Sequence, residues 1–298
     1  MSAPWLIQRG GETWFMEEPV AGSAFAIRVD RLIHDDTADG QHVLVFESER
    51  FGRVLVLDGY VQVTEADEHI YHEMMVHPAL VAHDDPRRIL IVGGGDGGIL
   101  REVLKHTRVD RAVLVEIEPA VVDLSKTWMP HVSAGAFEDP RTDVVFADAA
   151  AWITETDETF DVIIVDSTDP TGPGAVLFTE AFYRDCRTRL DPSGALVTQH
   201  GVPFLQASEA AASIRRLQSV FKHVLPSRAA VPSYAGGDLL MALSAPTDAF
   251  GAPPTRQRLR DRFGDDGLKT TYYNWRVDGA SRALPEDVKA LLHTTSVE

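Results

Sequence analysis

Two short segments hold residues whose types and spacing could do chemistry. The first is Gly93-Gly94-Gly95-Asp96-Gly97-Gly98, five glycines in six residues with one acid among them. It follows the apolar run Ile89–Val92 and opens a helix-like stretch, so it fits the G-x-G-x-x-G turn that lets a backbone approach a nucleotide. A tight turn alone does not call for so many glycines. Glu116 ends the next apolar run, where an acid accepts hydrogen bonds from ribose hydroxyls. A nucleoside-bearing ligand follows, and Asp96 selects its class. A unit charge pair at about 4 Å, with an effective ε of about 20, is worth about 4 kcal/mol. Against a pyrophosphate that sign is repulsive; against a sulfonium or ammonium it is attractive. Asp96 therefore favours an S-adenosyl sulfonium whose aminoalkyl tail has lost its carboxylate. The second segment, Asp166-Ser167-Thr168-Asp169-Pro170-Thr171-Gly172-Pro173-Gly174, follows the run Val162–Val165. Asp before Ser/Thr or Pro commonly makes an Asx-turn or a helix cap. Beside a nucleoside loop, Asp166 and Asp169 instead read as a site that binds a cation and accepts a proton. A third acid, Asp148, ends the run Val144–Ala147 and could take an adenine amino group.

The elements that must position these residues are legible as changes of period. Ile89–Val92, Ala112–Glu116, Val144–Ala147, Val162–Val165 and Ala195–Gln199 are near-continuous apolar runs, as parallel strands buried on both faces require. Ile99–His106, Pro119–Met129, Leu177–Leu190 and Leu205–Phe221 between and after them are helix-like, and the tail turns helical near Glu286–Leu292. This alternation predicts a doubly wound α/β sheet, with ligands at the carboxyl ends of its strands. Ahead of it Ala24–Val29, Gln41–Glu47, Arg53–Asp58 and Tyr60–Thr64 read as short antiparallel strands, with Asp58-Gly59 a hairpin turn. The expected division is a β-strand domain over 1–66 and a catalytic domain over 67–298. Between strands and sheet, Glu68–Ala82 has helical spacing, with Pro78 marking an end or a kink.

Composition removes several classes. The 298 residues hold 28 Lys+Arg against 45 Asp+Glu, a net charge of −17 that argues against a nucleic-acid partner. Hydrophobic content of 44 % is that of a globular protein, and the single cysteine, Cys186, excludes an internal disulfide framework. Cys186 reads as packing. No apolar run approaches the length of a membrane span, and the first residues lack the pattern of a signal peptide, so the expected location is the cytoplasm. His69, His72, Glu73 and His77 lie close together, but their spacing is not HExxH, and no metal site is expected. Glu65, Asp67 and Glu68 read as acids favouring the start of a helix.

Taken together these segments resemble the polyamine aminopropyltransferases. The resemblance rests on Phe51–His77, Val92–His106, Val115–Lys126, Asp161–Tyr183 and Val231–Gly237, and runs from about Trp14 to Leu292. It implies a small N-terminal antiparallel β-domain and a Rossmann-like, methyltransferase-type catalytic domain. It further implies aminopropyl transfer from decarboxylated S-adenosylmethionine to putrescine, with no permanent cofactor and no metal, in a homodimer or homotetramer. By position, Gln41, Gly93, Gly95, Glu116, Asp148, Ala149 and Pro173 match donor-binding residues. His72, Asp96, Asp169, Tyr234 and Gln62 match the amine side, and Tyr71 assists. Asp166 matches the proton acceptor, and Glu17 an acidic contact from the β-domain that would read the far ammonium. Asp238 is the other acid considered for that task. Three positions depart from the pattern: Asp148-Ala149 stands where Asp-Gly is frequent, Glu116-Ile117-Glu118 where an EID motif is, and Asp278–Ala283 replaces an apolar segment that would shape the acceptor pocket or an interface. The residues alone leave open a methyltransferase on the same fold, a nicotinamide dehydrogenase and a silent polyamine-binding protein.

Overall fold

A computed structural model describes residues 4–38, 41–167, 172–248, 257, 260, 263 and 267–293. The strands of the first part of the chain form two antiparallel sheets. β1 (Leu6–Arg9), β2 (Glu12–Val20) and β3 (Ser23–Val29) make one; β4 (Arg31–Ala38), β5 (Gln41–Ser48), β6 (Gly52–Leu57) and β7 (Tyr60–Thr64) make the other. Alternation along β5 and β6 divides the packing. Leu44, Phe46, Val54 and Val56 meet Phe15 and Ile27 of the three-stranded sheet. Val43, Val45, Leu55 and Leu57 turn the other way, onto Val121, Met129 and Val132. Period-two side chains thus tie the sheets to each other and to the helices beyond.

The rest of the described chain is a doubly wound sheet. α1 (Glu68–Ala82) leads into β8 (Arg88–Gly93), α2 (Gly98–Leu104), β9 (Arg111–Glu116), α3 (Pro119–Trp128), α4 (Pro130–Ser133), β10 (Thr142–Phe146), α5 (Ala149–Glu155) and β11 (Phe160–Asp166). A 3-10 turn over Gly172–Phe178 precedes α6 (Glu180–Arg189), β12 (Leu190–Gln199), α7 (Ala207–Val220), β13 (His223–Ala230) and β14 (Asp238–Ala245). Helices over Trp275–Ser281 and Glu286–His293 follow. The strand order is β10-β9-β8-β11-β12-β14-β13, parallel from β10 to β12 and antiparallel at β14 and β13. From β8 the chain first builds outward through β9 and β10, then returns to β11 on the other side. The order reverses between β8 and β11, the point at which a doubly wound sheet has its ligand-binding crevice, at the carboxyl ends of the strands.

Several expectations need correction. β1, β2 and β4 lie where no strand was expected. β13 and β14 add an antiparallel edge, and α5 forms between β10 and β11 where no helix was expected. The helix expected from Leu177 starts at Glu180, because the Thr179 hydroxyl caps it by accepting from Phe182 N. Pro78 does not end α1, which runs on to Ala82 with its second half buried.

Candidate active site

The glycine loop and the acid strand meet at the reversal point. Gly93 sits directly beside Asp166 in the β8–β11 register. Its φ is +79°, and a Cβ there would strike the Asp166 carbonyl, so glycine meets both a steric and a conformational demand. Gly94 N–H donates to that same carbonyl at 3.1 Å. On the far side of the loop Glu116 is 8 % exposed. Burial raises its carboxyl, while the N–H groups of Glu118, Ile117 and Gly95 hold the charged form. Ala147 N–H donates to Glu116 O at 3.0 Å, which sets Asp148 and Glu116 at neighbouring strand ends. Asp148 caps α5, its Oδ1 accepting from Ala150 N at 2.8 Å and Ala151 N at 3.4 Å, and Ala149 is buried under that cap.

Asp166 ends β11 half-buried at the crevice. The Tyr71 hydroxyl donates to its Oδ1 at 2.6 Å across 95 positions of sequence. Burial, and next the charge of Asp96, push the Asp166 carboxyl up to about 7, against the pull of His72 and the Tyr71 hydrogen bond. A carboxylate so poised can hold a proton and release it near neutral pH. Burial and then Asp166 keep the Tyr71 phenol well above its usual range, so Tyr71 remains a donor. The Tyr234 ring stands edge-on to Tyr71 at 5.8 Å, and its hydroxyl donates to Gln62 O at 2.9 Å. The next residue back, Val61, donates its N–H to Glu17 Oε2 at 3.1 Å. One wall of the crevice is thus closed by strands from the front of the chain.

Asp96 differs from the bare loop acid that its sequence position suggests. Its Oδ1 accepts from Gly98 N at 2.7 Å, and its Oδ2 lies 3.4 Å from His72 Nε2. The other ring nitrogen of His72 is 2.5 Å from Glu68 Oε2. Glu68 therefore does more than favour a helix dipole.

The remaining candidates separate. Gln41 opens β5 opposite Ala38 of β4. Gln62 folds its amide onto Tyr60 O at 3.1 Å. Asp238 is paired with Arg228, so that acid already has a cation. Asp169 and the side chain of Pro173 lie outside the described residues, so the pairing of Asp166 with Asp169 rests on sequence alone. Asp278 in the divergent segment is buried, accepting from Tyr273 Oη at 3.3 Å and Arg282 at 3.0 Å. The helix Trp275–Ser281, in which that segment begins, contacts β13. Sequence reasoning missed Gln199 at the end of β12. Its amide nitrogen donates to Ser167 O at 2.9 Å while its oxygen accepts from Gly201 N at 2.7 Å, clamping the corner after Asp166. Glu68 and Arg101 were also missed, although the Glu68–His72 spacing of four residues was a readable signal.

Comparison with known proteins places this geometry. Residues 68–249 match the spermine/spermidine synthase domain, and residues 13–65 the spermidine synthase tetramerisation domain. The chain is 45 % identical over 274 residues to polyamine aminopropyltransferase 1 of Pseudomonas aeruginosa, covering 92 % of this chain and 96 % of that protein. It is 43 % identical to a polyamine aminopropyltransferase of a Ruegeria species over 286 residues, 94 % of this chain and 98 % of the relative. A solved spermidine synthase in complex with the transition-state analogue AdoDATO superposes with a TM-score of 0.89 at 33 % identity, over 98 % of both chains. Spermidine synthase from Thermotoga maritima gives 0.86 at 32 % identity over 96 % of both. The chain belongs to the spermine/spermidine synthase family and is an aminopropyltransferase.

Proposed function

We propose that this enzyme transfers the aminopropyl group of decarboxylated S-adenosylmethionine to putrescine, giving spermidine and methylthioadenosine. The observation that carries the reading is Tyr71 bonded at 2.6 Å to an Asp166 raised to about 7, beside the glycine loop. A primary amine, with a pKa near 10.4 for a lysine-like group, arrives protonated and is no nucleophile. Asp166 takes its proton. The freed nitrogen attacks the methylene next to the sulfonium, the carbon–sulfur bond breaks, and methylthioadenosine leaves with the electron pair. Tyr71 and Asp169 orient the base and the amine. Glu116, Asp148, Ala149, Gln41, Gly93, Gly95 and Pro173 hold the nucleoside side. His72, Asp96, Tyr234, Gln62 and Glu17 hold the amine side. Positioning two cations that repel each other in water supplies much of the rate. The sulfonium is already an activated leaving group, so no metal enters the scheme.

Residues 1–66 serve in this reading as an assembly domain and 67–298 as the catalytic domain of a cytoplasmic homodimer or homotetramer. The match of residues 13–65 to a tetramerisation domain supports the assembly. Product analysis tests the proposal. Purified enzyme with decarboxylated S-adenosylmethionine and putrescine should yield spermidine and methylthioadenosine in equal amounts. S-adenosylhomocysteine from S-adenosylmethionine would mean methyl transfer instead. Faster turnover with cadaverine or spermidine than with putrescine would reassign the acceptor.

A further inference from the structure

Helices α1 and α2 are joined by half-buried charges, Glu68 and Arg101, that the scheme above does not use. Glu68 accepts both arms of the Arg101 fork, at 2.9 and 2.8 Å. Arg101 is itself anchored by Val132 O at 2.6 Å and Glu102 Oε1 at 2.8 Å. The same Glu68 faces Nδ1 of His72 at 2.5 Å, while Nε2 of that ring faces Asp96 at 3.4 Å. His72 is 1 % exposed. Its ring lies against Gly98, where any Cβ would overlap it. The imidazole therefore has a carboxylate at each nitrogen and no room to turn.

A neutral imidazole has one N–H, so it would aim a lone pair at one of the two carboxylates; the imidazolium donates to both. Charged and titratable groups face this ring from several elements. Glu68 and Tyr71 stand on its own helix, and Asp96 on the loop between β8 and α2. Arg101 of α2 lies behind Glu68, and Asp166 of β11 lies across the crevice with Glu116 of β9 beyond it. Two acids that share a crevice do not both ionise freely, and their surroundings decide which of them keeps a proton. Building on the assignment of Asp166 as the base, we infer that Glu68, fixed by Arg101, is a positioning residue: it holds His72 doubly protonated against Asp96, so that Asp96 stays a carboxylate and Asp166 alone exchanges a proton. The titration directions agree. Burial pulls His72 down, yet Asp96 and Glu68 outweigh it and raise it to about 10. Burial would raise Asp96, but His72 and the Gly98 N–H carry it below its ordinary range.

Nitrogen-15 NMR of the histidine rings in the intact enzyme tests the first half of the inference, with His72 assigned by loss of its signal in His72→Gln. Wild-type His72 should carry protons on both nitrogens at about pH 8. Glu68→Gln can still accept from Nδ1 but brings no charge, and His72 should then titrate at least about one pH unit lower. That shift means a hold on the second imidazole proton about tenfold weaker. A purely structural role would lower the melting temperature and leave the His72 titration in place. A neutral His72 in the wild type overturns the inference without any variant having to fold. So does a His72 titration unchanged in Glu68→Gln. Asp166→Asn separates the two readings. If it keeps the wild-type acidic limb of kcat/KM, Asp166 is not the base and the proton-sharing half falls, while the His72 signals still decide the first half.

Discussion

Helix α1 carries the same residue types toward two different neighbours. Glu68, Tyr71 and His72 reach Arg101, Asp96 and Asp166 at the crevice. Glu73, the residue after His72, and His77, five residues past it, turn into the core. Glu73 accepts the N–H groups of Thr271, Tyr272 and Tyr273 at 2.7 to 2.8 Å. His77 lies between Glu102 and His106, 3.0 Å from each, with Tyr273 against its ring at 5.4 Å. Both sets are buried acid–imidazole groups. They differ in what stands opposite: acids bordering a crevice in one case; in the other the backbone of the tail, packed rings and Glu102, which lies on the core side of Arg101. The first can alter protonation at a reacting centre; the second can only hold the chain together.

The largest effect expected from that contrast is on the crevice side. Asp166→Asn keeps shape but cannot take the amine proton, and should lower kcat by about 10²–10⁴ with little change in melting temperature. For the wild type, a base near 7 acts when ionised, so kcat/KM should rise with pH through about 7 and then level off. That limb should vanish in the variant. Stopped-flow or endpoint assays of methylthioadenosine across pH measure both effects, and near-normal turnover would remove Asp166 from the role.

The core side should show the reverse. Glu73→Gln keeps one acceptor oxygen but loses the charge that three N–H groups share. A hydrogen bond to a charged group is worth about 1.5–3 kcal/mol, so stability should fall by about 2–4 kcal/mol. Turnover of the folded variant should stay within about twofold of wild type, since surface and core groups away from the reacting atoms leave the barrier unchanged. Denaturant unfolding beside kinetics at low temperature checks this. A large loss in kcat without loss of stability would erase the distinction between the two faces.

A third test concerns the wall formed by the first strands. Glu17 is 6 % exposed and holds Val61 N–H. Gln at this position can keep that bond while removing the charge. If the charge meets the far ammonium of the acceptor, Glu17→Gln should weaken use of putrescine by about 1.5–3 kcal/mol in kcat/KM and scarcely touch butylamine. An unchanged putrescine-to-butylamine ratio would leave Glu17 a structural acid. Asp238 would be no substitute, because Arg228 already pairs with it.

How much of this was legible in the sequence follows the range of each interaction. β8, β9 and β11 were readable because strands buried on both faces are apolar without interruption. β13 was not, because His223–Ala230 is only partly covered and mixes Pro226, Ser227 and Arg228 into an edge. The glycine loop was readable because its demand is local: a turn, a close backbone and an acid within six residues. Glu68 beside His72 is also local, one helical turn apart. What lies across from them is not. Arg101 is 33 positions from Glu68, and Asp166 is 95 from Tyr71. No periodicity in either segment encodes those meetings; only the crossover from β8 to β11 creates them. A naked Asp96 was therefore the natural reading of the chain, and an Asp96 held by an imidazolium is a property of the fold.

The smallest effect should come from removing metal ions, and here the contrast along α1 gives the reason. His69, His72, Glu73 and His77 look in sequence like a cluster that could gather round an ion. Metal ligation needs a neutral imidazole lone pair and free carboxylate oxygens converging on one point. His72 has a carboxylate at each nitrogen, and its lone pairs are taken by protons. Glu73 points both oxygens at backbone N–H groups of the tail. His77 uses both nitrogens, on Glu102 and His106. Each of the three is already committed to its own partners, so binding an ion would require breaking several of these bonds together. Enzyme treated with excess EDTA and then desalted should keep its aminopropyl transfer rate within about twofold, a barrier change under about 0.5 kcal/mol. Loss of activity restored by one divalent ion and by no other would mean that these residues converge in the working enzyme, and that the two faces of α1 are not separate.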